Sequence, residues 1–174
     1  YKLMGASLFY AARSIPKSFQ IIVNTATGGW LNSIMTRAYI QNEHSIPKAN
    51  DYTPVTGGIS FGVPGIQRNV FKIDIASLYP SIMRNYKIND PKKDPNNVFF
   101  KLVDFNTKAR LEYKKKGNET GDKYYKDLDA SSKVFINSAY GLLGTGKVNY
   151  NNFKNADFIT SVGRRILSLT IVWA

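Results

Sequence analysis

Two stretches of helical periodicity, residues 104–116 and 124–143, are separated by little more than the turn signal Asn118-Glu-Thr-Gly121. Helices joined by so short a link pack back on one another, so the middle of the chain is expected to form an antiparallel hairpin. It is the longest continuous structural commitment in the sequence. Apolar residues at helical spacing predict further helices over 2–13 (Leu3, Met4, Leu8, Phe9, Ala12), closed by Pro16, and over 30–41 (Leu31, Ile34, Met35, Ala38, Tyr39). Ile46-Pro47 then opens a loop that runs through Asn50-Asp51 and Pro54. A last helix is expected from about residue 155 to the end, carrying Ala156, Ile159, Ile166, Leu167 and Leu169.

Residues 70–75 alternate instead. Val70, Lys72 and Asp74 fall on one side, and Phe71, Ile73 and Ile75 on the other, which is the pattern of a strand. Residues 57–61 can form a second short strand after the Gly57-Gly58 turn, with Pro64-Gly65 marking the next turn. Pro80 suits the first turn of a helix reaching about residue 86, because the N–H it lacks has no partner there anyway. Asn89-Asp90-Pro91 breaks that helix. The expected fold class is therefore α+β: mostly helical, with a partial β-sheet and a two-helix hairpin.

Composition narrows the chemistry. Twenty-four Lys and Arg against twelve Asp and Glu leave +12, a balance that favours a polyanionic partner. The excess is no basic tail: it is +4 over residues 1–83, +5 over 84–133 and +3 over 134–174. A membrane surface fits poorly, since no amphipathic helix sets basic residues against Trp or Phe. No stretch approaches the ~20 apolar residues of a membrane span, and Tyr1-Lys-Leu-Met does not have the make-up of a signal peptide. A chain that opens on tyrosine and not methionine reads as a piece of a longer protein. Without cysteine there are no disulfides or thiolate metal sites, and a single histidine, His44, argues against zinc. Any metal is expected to be hard and oxygen-ligated, such as magnesium or manganese.

Two segments concentrate candidate site residues. In Asp74-Ile-Ala-Ser-Leu-Tyr-Pro-Ser81 a carboxylate ends the expected strand just before a helix. The N–H groups of Ser77, Leu78 and Tyr79 can cradle phosphate in that turn. In Lys133-Val-Phe-Ile-Asn-Ser-Ala-Tyr-Gly141, Lys133, Asn137 and Tyr140 share one helical face, while Val134, Ser138 and Leu142 lie on a neighbouring face that can pack inward. Lys133 offers a point charge to a triphosphate, Asn137 a hydrogen bond to a nucleotide, and Tyr140 a surface for a base pair. Gly141 leaves room for close approach. A carboxylate for metal beside cations for phosphate describes nucleotidyl transfer. Gly141-Leu-Leu-Gly-Thr-Gly-Lys147 imitates a P-loop, but it follows a helix and precedes Val148 where Ser or Thr is required. His44 beside Glu43 reads as a loop residue.

Both segments resemble signature motifs of the family B (alpha-like) DNA polymerases. The first is similar to the D-x-x-S-L-Y-P-S motif of the palm, the second to the K-x-x-x-N-S-x-Y-G motif of the fingers. The resemblance implies that Asp74 ligates two magnesium or manganese ions with help from the Ile75 carbonyl. It also implies that Tyr79 lies beneath the sugar and excludes a 2′-hydroxyl. Arg110 and Lys114 look like the family's R-x-x-x-K pair for the incoming phosphates. Pro54-Val-Thr-Gly-Gly58 resembles the Y-x-G-G loop, without its tyrosine at position 55, and implies DNA contact at Gly57 and Gly58. Residues 155–164 look like the helix returning from fingers to palm.

The implied layout is a helical lead-in (1–50), the first part of a palm (51–90), fingers (91–145) and a return to the palm (146–174), closest in pattern to phage enzymes. Expected partners are primer–template DNA, a deoxynucleoside triphosphate and the remainder of the polymerase, with no membrane. The expected location is cytoplasmic, that of the host if phage-encoded. Nothing in the chain resembles the D-T-D motif that supplies the second catalytic aspartate, so it is expected beyond residue 174. The alternatives are one subunit of a split polymerase completed in trans, or a non-catalytic nucleic-acid-binding module.

Overall fold

The computed structural model describes residues 8–9, 12–60, 62, 64–66, 68–75 and 77–173. In chain order its helices are α1 (Phe19–Asn24), α2 (Thr27–Gln41), α3 (Leu78–Asn85), α4 (Val98–Thr120), α5 (Lys123–Gly144) and α6 (Phe153–Trp173). Residues 8–9 and 12–14 are also helical, in agreement with the expected first helix, whose Leu3 and Met4 lie outside the described residues. Among the described residues no helix is long and apolar enough to cross a membrane.

The expected hairpin is α4 and α5, and its turn is tighter than the sequence signal suggested. Gly121 takes φ +70°, and its N–H returns to the Gly117 carbonyl at 3.1 Å. Asp122 then caps α5 by accepting from the Tyr124 N–H at 2.9 Å. Just below the turn the helices touch at Gly117, where a Cβ would stand 3.3 Å from Lys126 Cγ. Further down, Arg110 meets Asp129, so the two helices run antiparallel along their seam.

The hairpin roots in one apolar core. Leu31, Met35 and Tyr39 of α2, Ile82 and Met83 of α3, Phe99 and Val103 of α4, Ala139, Leu142 and Leu143 of α5, and Ala156 and Ile159 of α6 are all buried there. Gly28 lets α2 press against α5, since a Cβ there would lie 3.3 Å from the Leu142 backbone nitrogen. A smaller cluster of Ile15, Ile22 and Trp30 anchors the lead-in, with Trp30 Nε1 donating to the Ile22 carbonyl.

Between these elements runs a polar network that the sequence reading passed over as a helix break. Asp94, only 2% exposed, accepts from the Val98 and Phe99 N–H groups at 2.9 and 2.8 Å and from the Tyr39 hydroxyl. Its carboxylate therefore caps α4 and starts the helix six residues earlier than the apolar spacing implied. Beside it, Lys93 Nζ donates to the carbonyls of Asn149 and Asn151 and to Asn151 Oδ1. Asn151 in turn exchanges hydrogen bonds with Asn50. Both roots of the hairpin and the loop leading to Gly57-Gly58 are fastened here.

The expected β-sheet is not formed: the described residues contain no strand. Residues 70–75 lie without regular structure and pair with no strand among the described residues, with Phe71 93% and Ile73 60% exposed. Alternation specifies two faces but not the neighbour whose ladder bonds make a strand. Residues 57–60 are also irregular, and Phe61 lies outside the described residues. In that loop the Thr56 N–H and the Thr56 and Gly57 carbonyls are taken by side chains of α6 instead of by another strand.

The buried phenols set an alkaline limit on this fold. Burial pushes the Tyr150 phenol up to about 12, and burial together with Asp94 pushes Tyr39 up as well. Each stays protonated in the fold while it ionises in the unfolded chain, so its stabilisation is complete below pH ~10 and is lost as the pH rises toward the folded value. Lys93, lowered by burial, works in the opposite direction. Tyr150 Oη has no partner among the described residues, so Tyr150→Phe is expected to leave stability at pH 7.5 unchanged or slightly higher. The same variant should lose roughly 1–3 kcal/mol less than the parent between pH 10 and pH 12. Urea denaturation at pH 7.5 and 11 measures both effects; an equal decline in the two proteins would remove Tyr150 as the cause.

Candidate functional site

The two signature segments converge at the start of α3. Ser77 precedes the helix in the left-handed region (φ 55°, ψ 45°), and Pro80 is buried in the first turn. Arg110 Nη1 of α4 donates to Ser77 Oγ at 2.5 Å, while its Nε donates to Asp129 Oδ1 of α5 at 2.9 Å. One guanidinium thus ties the turn after Asp74 to both helices of the hairpin. Its side chain is only 15% exposed.

Tyr79 makes the second link. Its ring lies 4.9 Å from that of Tyr140, tilted by 45°. A Cβ on Gly163 of α6 would come within 3.2 Å of the Tyr79 ring, and one on Gly58 within 3.2 Å of its hydroxyl. Tyr79 is thus flanked by α5, α6 and the glycine loop, and both glycines approach it closely. Burial, then the neighbouring Tyr79 and Asp157, push the Tyr140 phenol up, while Arg164 pulls it down.

Three residues of α6 that the sequence reading left unassigned hold the glycine loop. Asp157 Oδ1 accepts from the Thr56 N–H at 3.1 Å, and Thr160 Oγ1 donates to the Thr56 carbonyl at 2.7 Å. Arg164 Nη1 donates to the carbonyls of Thr56 and Gly57 at 2.7 and 2.6 Å. Their i, i+3, i+7 spacing was a usable signal: it marks a polar face beside the buried face of Ala156 and Ile159.

The other candidates are more open. Lys114, Lys133 and Asn137 are exposed, with no ion pair or hydrogen bond among the described residues, and Tyr140 is half-buried. Along the same helix Ser138 and Leu142 pack inward as expected, but Val134 is 44% exposed. A Cβ on Gly141 would meet nothing within 4 Å, so open space adjoins it. Gly141 to Gly144 form the last turn of α5, which removes the P-loop imitation. Exposed His44 bonds its neighbour's carbonyl through Nδ1 and abuts Tyr39 edge-on.

Asp74 is exposed, as is Ile75, and its carboxylate makes no hydrogen bond or ion pair among the described residues. No group of three or more His, Cys, Asp or Glu gathers there into a metal-holding cluster. The residues present thus fit one ligand of a hard divalent ion and not a complete pair of sites.

No protein-family model matches the chain. DNA polymerase 1 of Sulfurisphaera ohwakuensis is 28% identical over 172 aligned positions, covering 79% of this chain and 19% of that protein. DNA polymerase 1 of Aeropyrum pernix is 28% identical over 136 positions, covering 62% of this chain and 14% of that one. A DNA polymerase of Choristoneura biennis entomopoxvirus is 28% identical over 89 positions, covering 48% and 9%. The chain spans less than a fifth of the length of these curated relatives. In sequence, it is distantly similar to archaeal and viral DNA polymerases.

Proposed function

We propose that the chain carries part of the palm and the fingers of a template-directed, family B DNA polymerase of the phage type. In the complete protein, a primer 3′-hydroxyl attacks a deoxynucleoside triphosphate and pyrophosphate leaves. The observation that carries this reading is the convergence at α3: two motifs some sixty residues apart meet through the Tyr79–Tyr140 contact, and Arg110, between them in the chain, bonds Ser77 of the first. The likeness to proteins named DNA polymerase supports the polymerase part of this reading.

Each residue then has a physical task. Asp74, with the Ile75 carbonyl, contributes one carboxylate toward magnesium or manganese, and polypeptide outside these residues contributes the second. Bound metal supplies charge neutralisation at the transferring phosphate and a lowered pKa at the attacking hydroxyl. Arg110, Lys114 and Lys133 bind the triphosphate, aided by the backbone N–H groups of Ser77, Leu78 and Tyr79. Tyr79 supports the sugar, while Asn137 and Tyr140 order the nucleotide and nascent base pair. Gly57, Gly58 and Gly141 let primer–template DNA approach the backbone closely.

Tyr79 provides the most specific test. Caged by Gly58, Tyr140 and Gly163, its ring is held as a rigid wall. In the complete polymerase, Tyr79→Ala is expected to raise ribonucleotide incorporation far more than it lowers deoxynucleotide incorporation, because a clash is lost and not a bond. Single-nucleotide extension reads the ratio, and an unchanged ratio takes Tyr79 out of sugar selection.

The phosphate assignment predicts a different signature. A charge-assisted contact is worth roughly 1.5–3 kcal/mol, so Ala at Arg110, Lys114 or Lys133 should weaken apparent nucleotide affinity about ten- to a hundredfold. Primer–template affinity should barely change. A fall in DNA affinity at constant nucleotide KM would make these residues DNA-backbone contacts instead.

Residues 1–174 alone are expected to bind nucleic acid weakly, without sequence preference and with steep salt dependence, because counterion release is the main driving force available to +12 of dispersed charge. They should not extend a primer at any magnesium or manganese concentration. Extension by the purified chain, abolished by Asp74→Ala, would show that a second carboxylate lies within it.

A further inference from the structure

Arg110 is held more tightly than a cation waiting for phosphate needs to be. Its Nε is committed to Asp129 of α5 and its Nη1 to Ser77 in the turn before α3, with the side chain 15% exposed. Nη2 makes no hydrogen bond to a described residue. A guanidinium has five donors in a fixed fork, so fixing Nε and one Nη1 hydrogen determines the plane and leaves the two Nη2 hydrogens available to an anion. Lys133, one turn beyond Asp129 on α5, makes no ion pair with it, and among the described residues the ion pair of Asp129 is with Arg110.

We propose that Asp129 is a positioning residue for triphosphate binding: with Ser77 it fixes the Arg110 guanidinium so that the Nη2 edge faces the phosphate. This rests on the assignment of Arg110 to phosphate made above and adds a residue that neither signature motif supplies. Orientation raises affinity because the rotamer freedom of Arg110 has already been lost before the ligand arrives. It also opposes simple electrostatics, since a carboxylate beside the site repels phosphate. The two effects have opposite signs in a variant, which makes the role decidable.

The test uses residues 1–174, titrated with magnesium deoxynucleoside triphosphate and, separately, with inorganic tripolyphosphate. Asp129→Ala is expected to weaken binding of both by roughly threefold to tenfold, the scale of coupling between contacting residues. Asp129→Asn keeps an acceptor for Nε and should recover most of that loss, which a purely electrostatic effect would not do. In an Arg110→Ala background, Asp129→Ala should have no further effect. Thermal midpoints and single-stranded DNA affinity of the Asp129 variants should stay close to those of the parent. Unchanged or tighter binding by Asp129→Ala, with Arg110→Ala still weakening it, overturns the positioning role alone. If Arg110→Ala leaves triphosphate binding unchanged, the phosphate assignment itself falls. Absence of triphosphate binding by the parent chain overturns both.

Discussion

A carboxylate with 2% of its surface exposed must be met by donors, and Asp94 is met by three: two backbone N–H groups of α4 and the Tyr39 hydroxyl. Left unmet, each of those groups would cost about 1–3 kcal/mol, so the cluster forms as a unit or not at all. That requirement fixes where α4 begins and binds it to α2. With Lys93 bridging to Asn149 and Asn151, it also sets the far root of the hairpin and the 46–50 loop. The apolar core gives the hairpin its driving force, but the polar cluster gives it a register.

The site inherits that register. Because α4 and α5 are fixed at their roots, Arg110 reaches Ser77 and Tyr140 reaches Tyr79 at the start of α3. The glycine loop is set from the other side, by Asp157, Thr160 and Arg164 of α6. Tyr79 touches both arrangements at once. A change in its enclosure therefore couples loop, hairpin and helix through packing, alongside the hydrogen bonds of Arg110 and of the α6 side chains.

The sequence made the helices legible because their information is local. Periodicity located α2, α5 and α6 to within a few residues, and the apolar faces of Met35, Leu142 and Ile159 are indeed core. It misjudged the start of α4, because a cap four residues upstream outweighed the onset of apolar spacing. It also misjudged Val134, where a face read from spacing alone ignored the exposed side of the hairpin. The sheet failed for a different reason. Residues 70–75 carry a strand's alternation, but a strand is a pairing between distant segments, and nothing in six residues names the partner. The residues that meet at the candidate site were legible where motifs named them, at Ser77, Tyr79 and Tyr140. They were illegible where the partner is an ordinary acid on an ordinary helix, as with Asp129 and Asp157.

Charge distribution shows why a formal count understates the field near the hairpin. Asp104 is engaged by Arg84 and Lys108, which hold its carboxyl below the usual carboxylate range. Asp127 pairs with Lys123 and Asp129 with Arg110, while Asp122 caps a helix and Asp94 is sealed inside. The acids are thus largely spent on structure, while Lys114 and Lys133 stand exposed without ion pairs among the described residues. Local cancellation removes acid and base together from the outward face and leaves the surplus cations facing solvent. At the ~8 Å screening length of physiological salt, an anion approaching the hairpin meets those cations and not the average of the chain. The fold thereby leaves part of the basic excess exposed on the two helices of the hairpin.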